Sequence, residues 1–256
     1  MPVLTPSQIQ VLLKAWTSQH NMTEILFTLL ATHLTIICVT LYLHRGQSHR
    51  GVEFHPALAH AMRAWLWMTT GMNTKQWVAV HRKHHQNTDV EGDPHSPHVF
   101  GIMAVITSGM KLYNVPCQDA KFVMKYGKGT PKDWIERKLY TPYPLLGILL
   151  MLVIDLLLFG PWGLLVWSVQ MIWVPVFAGG MINGIGHWWG YRNGDTKDHS
   201  RNISPIGIVV GGEELHNNHH LDPASPKFSR RWFEFDVGWF YIRILSILGL
   251  AKVRTS

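Results

Sequence analysis

Sixteen of the 256 residues are histidine, and most of them are not scattered. His44 and His49 sit in HRGQSH, His81, His84 and His85 in HRKHH, and His216, His219 and His220 in HNNHH. Residues at i, i+3 and i+4 share one face of a helix. Each HxxHH triplet therefore presents three imidazoles together while its backbone stays helical. His44 and His49 lie just past an apolar stretch, where a loosened last turn aims both inward. Imidazole nitrogen suits zinc, copper, iron and nickel. A ninth candidate is His187 in NGIGHWWGYRN, with Asn183 one turn before it and able to hold a metal-bound water. His20, His33, His55, His60, His95, His98 and His199 are read as ordinary polar residues.

Nine ligands are too many for one ion. Zinc takes four, or three plus water in catalysis. Two ions of five or six coordination fit better, and that points to iron. Soluble di-iron bundles carry two ExxH motifs and two further Glu. Here only Glu213-x-x-His216 matches, so the site is expected to be mainly histidine. Asp89 and Glu213 are candidates for orienting ligand imidazoles from behind. Around Gly92 and Pro94, turn formation is an equal reading for Asp89, Glu91 and Asp93. Cys38 and Cys117 belong to no CxxC pair, which argues against thiolate metal sites and redox dithiols.

These side chains must be positioned by a chain that is 47% hydrophobic and 15% charged, with twelve Trp. A soluble domain carries roughly 25% charged residues. Residues 25–43 and 163–182 are uncharged and long enough to cross a bilayer. Residues 145–159 form a third span, joined to the last by the turn Gly160-Pro161-Trp162. Residues 57–80 are apolar but hold His60, Arg63 and Lys75, and are expected to lie flat at the interface. Residues 2–19 and 237–251 read as short interfacial helices. All but Lys14 of the 23 Lys and Arg follow the first span, and none lies in the hairpin. The positive-inside rule then places residues 81–138 and 187–256 in the cytoplasm. The expectation is one all-α integral membrane domain over residues 1–256, with about three spanning helices, interfacial helices and a cytoplasmic helical cap. All histidine clusters then fall on one side.

The boxes resemble those of the membrane fatty acid desaturase superfamily. HRKHHQNTDVEGDPHSP (81–97) and GGEELHNNHHLDPASPKFSRRWFEFDVGW (211–239) look like bacterial members of its acyl delta-9 branch, and the likeness runs over residues 25–252. The resemblance implies a di-iron centre held by His44, His49, His81, His84, His85, His187, His216, His219 and His220, with Asn183 acting through water. It implies a reaction in which O2 and two electrons convert a saturated acyl chain into a cis-monoene. An alkyl C–H is not acidic, so an oxidising metal site is needed rather than a side-chain base. Ala79-Val80 stand where animal acyl-CoA desaturases have an Arg-Asp pair that meets CoA, and the additional first span of those enzymes is not expected here. Acyl-CoA, a phospholipid and acyl-ACP all stay open as carriers. With no flavin, nicotinamide or haem motif, the chain needs a separate donor such as a ferredoxin or a cytochrome b5-like protein. The implied location is a bacterial inner membrane with the site on the cytoplasmic side.

Two rival functions share parts of this pattern. A di-iron hydroxylase or acetylenase would use the same core. A metal transporter would place its ligands within spans near the midplane, whereas these lie at span ends. Nucleic acid binding is set aside despite the +7 net charge, because the cations are spread between apolar runs. Trp65, Trp67 and Trp77 are read as interfacial packing. Asp155 is expected to reach headgroups near Gly160.

Overall fold

In the computed structural model of the chain, residues 5–254 are described, the side chains of residues 6 and 8–21 excepted. Helix α1 runs from Pro6 to Cys38 and continues without a break into a π-helical segment, Val39–Ser48. Pro6 suits a first turn, and no Gly or Pro follows until Gly46. The separate interfacial helix expected over residues 2–19 is therefore not formed from Pro6 onward; residues 2–4 lie outside the described residues. Thr28, Thr32 and Thr35 return their hydroxyls to carbonyls four residues back, which satisfies them within an apolar helix.

The stretch expected to lie flat over 57–80 divides in two. Helix α2 (Pro56–Thr70) ends at Gly71, whose φ of 62° is left-handed. Helix α3 (Thr74–Gln86) restarts at once, because the Asn73 side chain accepts from the amides of Lys75 and Gln76. The break gives the HRKHH box a helix of its own. Four short helices of the cap and its approach include α4 (Pro97–Phe100), α5 (Ile102–Cys117), α6 (Ala120–Tyr126) and, later, α9 (His216–Leu221).

Helix α7 (Pro144–Phe159), a 3-10 turn at Gly160–Trp162, and α8 (Gly163–Val174) form the expected hairpin. Gly160 reverses the chain at φ 58°. Across the hairpin Trp167 donates to the Ile148 carbonyl at 3.1 Å, and Gln170 Nε2 lies 3.5 Å from Asp155 Oδ1. Asp155 is fully buried against Gln170 and does not reach outward. Helix α8 continues as a second π-helical segment, Pro175–Ile185. Residues 22–48 and 144–185 are long and apolar enough to cross a membrane. Their outward side chains, among them Leu29, Leu30, Leu149, Leu157 and Leu165, are exposed.

Strands are minor. β1 (Val52–Phe54) pairs antiparallel with β4 (Ala251–Val253), and β2 (Ile206–Gly207) pairs parallel with β3 (Phe235–Asp236). Helix α10 (Val237–Ile247) starts on an Asp236 cap. The apolar core gathers Ile36, Leu41 and Leu43 with Leu66, Val174, Ile182, Val210 and Ile242. Its Val174 and Ile182 line the same cavity as His44, His81 and His216.

Candidate metal centre

Nine imidazoles from four segments meet in two adjoining groups. His44, His49, His81, His85 and His219 form one, and His84, His187, His216 and His220 the other, with the ligand atoms of each group within 4.8 Å of one another. These are the nine residues singled out from the sequence. Each HxxHH helix is shared. On α3 the i and i+4 positions, His81 and His85, join the five-histidine group, while His84 turns to the other. On α9 the pattern is reversed: His216 and His220 join the four-histidine group and His219 crosses over. Helical spacing thus links the groups, and His85 stacks on His220 at 4.5 Å.

The π-helical segments position the remaining imidazoles. His44 lies within the first, and His49 follows it with its amide on the His44 carbonyl at 3.1 Å. His187 comes just after the second. A wider turn re-aims side chains at the end of a long helix, a common feature of functional sites.

The nitrogens face one another rather than ordinary partners. His49 and His81 Nε2 are 2.8 Å apart, and His187 and His216 Nε2 are 2.9 Å apart. His219 Nε2 is 3.0 Å from Nε2 of both His44 and His85. A ring nitrogen carries at most one proton, so this convergence is not a closed hydrogen-bond network. Buried His84 Nε2 and His220 Nε2 have no hydrogen-bond partner at all among the described residues. Burial, reinforced by neighbouring imidazoles, holds His49, His81, His85, His216, His219 and His220 well below the usual histidine range. Neutral imidazoles with inward lone pairs fit metal cations.

Carboxylates fix several rings from behind. His44 Nδ1 donates to Glu213 at 2.7 Å, His84 Nδ1 to Asp93 at 2.9 Å, His187 Nδ1 to Asp89 at 2.8 Å and His220 Nδ1 to Asp198 at 2.9 Å. With Nδ1–H donated outward, Nε2 is left as the inward donor atom. Asp89 also accepts from the His199 amide and the Ser96 hydroxyl. Burial alone would raise its carboxyl, but the His187 bond and charge bring it below the usual range. Asp93 is likewise pulled down to about 2 against its own burial, by His84. Glu91 is exposed and faces none of these rings.

Polar contacts brace the short helix α9, which six residues could not hold alone. Asn218 donates to Glu234 at 2.8 Å and accepts from Asn193 and Asn202, and Asn217 accepts from the Asn193 amide. Arg45, next to His44, is fully buried. It pairs with both Asp236 oxygens at 2.9 and 3.0 Å, donates to the Gly211 and Pro226 carbonyls, and lies 3.7 Å above the Phe228 ring. Gly212 permits that approach: at φ 96°, a Cβ there would stand 2.2 Å from Asp236.

A largely apolar cavity of about 110 Å³, open to the outside, borders both groups. His44, His81, His216, Asn183 and Glu213 line it beside Val39, Trp77, Met110, Val174, Ala178 and Ile182. Trp77 stacks on His81 at 4.9 Å, so it belongs to the site and not to interfacial packing. Its position one turn before His81 was the available signal. Asp198, by contrast, has no motif and stands 22 residues from His220. His95, read as an ordinary polar residue, is buried, stacks on His84 at 4.4 Å and lines the cavity. His33 is an ordinary partner of Tyr241 at 3.2 Å, and the His20 side chain lies outside the described residues.

Comparison with known proteins reaches the same region. A family model described as fatty acid desaturase matches residues 22–239. The chain is 30% identical over 215 residues to an sn-1 stearoyl-lipid 9-desaturase of Anabaena variabilis, covering 83% of this chain and 76% of that protein. It is 29% identical over 240 residues to a delta-9 desaturase-like 4 protein of Arabidopsis thaliana, covering 88% and 74%. It is 29% identical over 229 residues to delta-9 acyl-lipid desaturase 2 of the same plant, covering 85% and 71%.

Proposed function

The chain belongs to the fatty acid desaturase family, and from that premise we propose that it introduces a cis double bond at the delta-9 position of a saturated chain carried by a lipid. As a member of that family it is an O2-dependent oxidoreductase. The observation that carries the finer reading is the junction of two all-imidazole groups with an apolar cavity. Relatives named for lipid-linked substrates support a lipid carrier over acyl-CoA or acyl-ACP. Ala79 and Val80, both fully buried, are unsuited to meeting a charged CoA head.

We assign one iron to His44, His49, His81, His85 and His219, and the other to His84, His187, His216 and His220, with Asn183 reaching the latter through water. When bound, the iron pair supplies O2 activation strong enough to remove hydrogen from an unactivated C–H. The chain's own residues do the rest. Glu213, Asp93, Asp89 and Asp198 hold the imidazole tautomers. Val39, Trp77, Ala178 and Ile182 give the acyl chain an apolar sleeve and exclude water from it. The overall balance is one alkane segment, O2, two electrons and two protons giving one alkene and two waters. The electrons must come from a separate protein.

For topology, we take residues 22–48 as one span and the 144–185 hairpin as two. Every Lys and Arg beyond the first span then lies on the cytoplasmic side with the histidines, within a single domain. The exposed leucines of α1, α7 and α8 support this.

Expression in a host unable to make unsaturated fatty acids tests the reading. Gas chromatography of its lipids should find cis-delta-9 monoenes. Iron-loaded protein with saturated lipids only, or with hydroxy or acetylenic products, would overturn it.

A further inference from the structure

The electrons that the reaction needs must enter somewhere, and the nine histidines are not equally placed for this. His49, His81 and His85 are half-buried, whereas His84, His187 and His216 are buried. The rim beside the half-buried set is basic. Arg82, next to His81, donates to the carbonyls of Tyr126 and Lys128 and also to those of Gln47 and Ser48. It thereby pins the α6–loop segment over the first box. Arg50, next to His49, donates to the Lys128 carbonyl at 3.4 Å. The ammonium groups of Lys83 and Lys125 lie 5.7 and 4.9 Å from the Tyr126 ring, and the Lys75 stem packs against Gly127. Lys121 precedes Lys125 by one turn of α6. Arg50, Lys121, Lys125 and Lys128 are exposed. Among the described residues, no ion pair joins any of these cations to a carboxylate. Arg45, Arg63, Arg230 and Arg254 have such partners, whereas Lys132, Arg137, Lys138 and Lys252 have none among the described residues either, and the rim is set apart by lying beside His49, His81 and His85.

We propose that this rim, made by Arg50, Lys75, Lys83, Lys121, Lys125 and Lys128, is the docking surface for an acidic one-electron carrier protein, and that reduction begins at the five-histidine group. The proposal rests on the desaturase reading and adds the partner's face and its point of entry. In each visit one reduced carrier is oxidised and one electron passes to the centre. Two visits supply the two electrons that, with two protons from water, complete the reduction of O2. Unpaired cations attract an acidic partner and orient it. An uncharged rim would leave encounter unsteered.

The test uses the full chain with its metals in phosphatidylcholine vesicles, and an acidic plant-type [2Fe–2S] ferredoxin as probe. Ferredoxin floating with the vesicles is measured at low and high salt for the wild type, for K121Q/K125Q/K128Q and for K121E/K125E/K128E. Binding should weaken in that order, at least about tenfold for the Glu variant, and wild-type binding should fall in high salt. Turnover driven by reduced methyl viologen should stay unchanged, while the half-saturating ferredoxin concentration rises. Equal ferredoxin binding by all three proteins, as expected if the lysines face lipid headgroups, overturns the proposal. So does viologen-driven turnover that falls as much as the ferredoxin-driven rate. Because flotation needs no product, failure of the docking face is distinguishable from a failure to make monoenes.

Discussion

The two imidazole groups share two helices but are built on different principles. The five-histidine group has one carboxylate behind it, Glu213 on His44, and is otherwise held by rings packed edge to face, such as His49 on His81 at 4.9 Å. The four-histidine group has three carboxylates, Asp93, Asp89 and Asp198, and lies deeper. One gains definition from the number of its imidazoles, the other from the orientation of fewer. Fewer imidazoles leave room for water or O2 on that side, and both sides reach the cavity, His216 and Asn183 from one and His44 and His81 from the other. The more exposed group adjoins the basic rim. Both groups border the cavity, and the asymmetry lies in burial and in the number of carboxylates behind each.

The sharpest way to break this comparison is to remove one imidazole from each group. His187→Ala leaves three ligands in the smaller group, so activity should fall by roughly a thousandfold or more and iron by about one per chain. His49→Ala leaves four and should retain more iron. Elemental analysis and product assays on both variants check the ranking; equal iron loss would remove the distinction. Arg45→Met comes next. It leaves Asp236 buried without its partner, at about 3–5 kcal/mol, and should be seen as a lower melting temperature with the five-histidine group released first.

Replacing the orienting carboxylates gives a smaller effect. Asp89→Asn and Glu213→Gln should each lower iron affinity or activity about 10–100-fold. The Asp89 change should be larger, because that side chain also holds the His199 amide and the Ser96 hydroxyl. Iron competition with a chelator separates the two. The smallest effect is on pH. Between the ordinary histidine value near 6.5 and the depressed values of the buried rings, the unfolded chain binds more protons than the folded one. Stability of the metal-free protein should therefore be full above about pH 7 and decline as pH falls through about 6.5. Flat melting temperatures from about pH 7.5 to 5.5 would contradict the depressed values.

Much of the convergence of imidazoles was legible because it is written in local spacing. The HxxHH triplets, the HRGQSH box and His187 after an apolar run all rest on neighbours in sequence. The division of each triplet between two groups was not legible, since i, i+3 and i+4 share a face and only the partner helix decides which ring turns where. Asp198 was invisible for the same reason: its role comes from a loop folding back on His220. The hairpin at Gly160-Pro161-Trp162 followed from turn chemistry. The division of residues 57–80 was missed because hydropathy overrode the Gly71–Asn73 capping signal. Asp155 was misplaced because hydropathy cannot anticipate a partner such as Gln170 on the return helix.

The most direct test of the account is Mössbauer spectroscopy of the protein loaded with 57Fe. Two unequal ferrous environments of equal area should be seen, and His187→Ala should remove one of them. A single environment, or one iron per chain in the active wild type, would contradict two separately built imidazole sites.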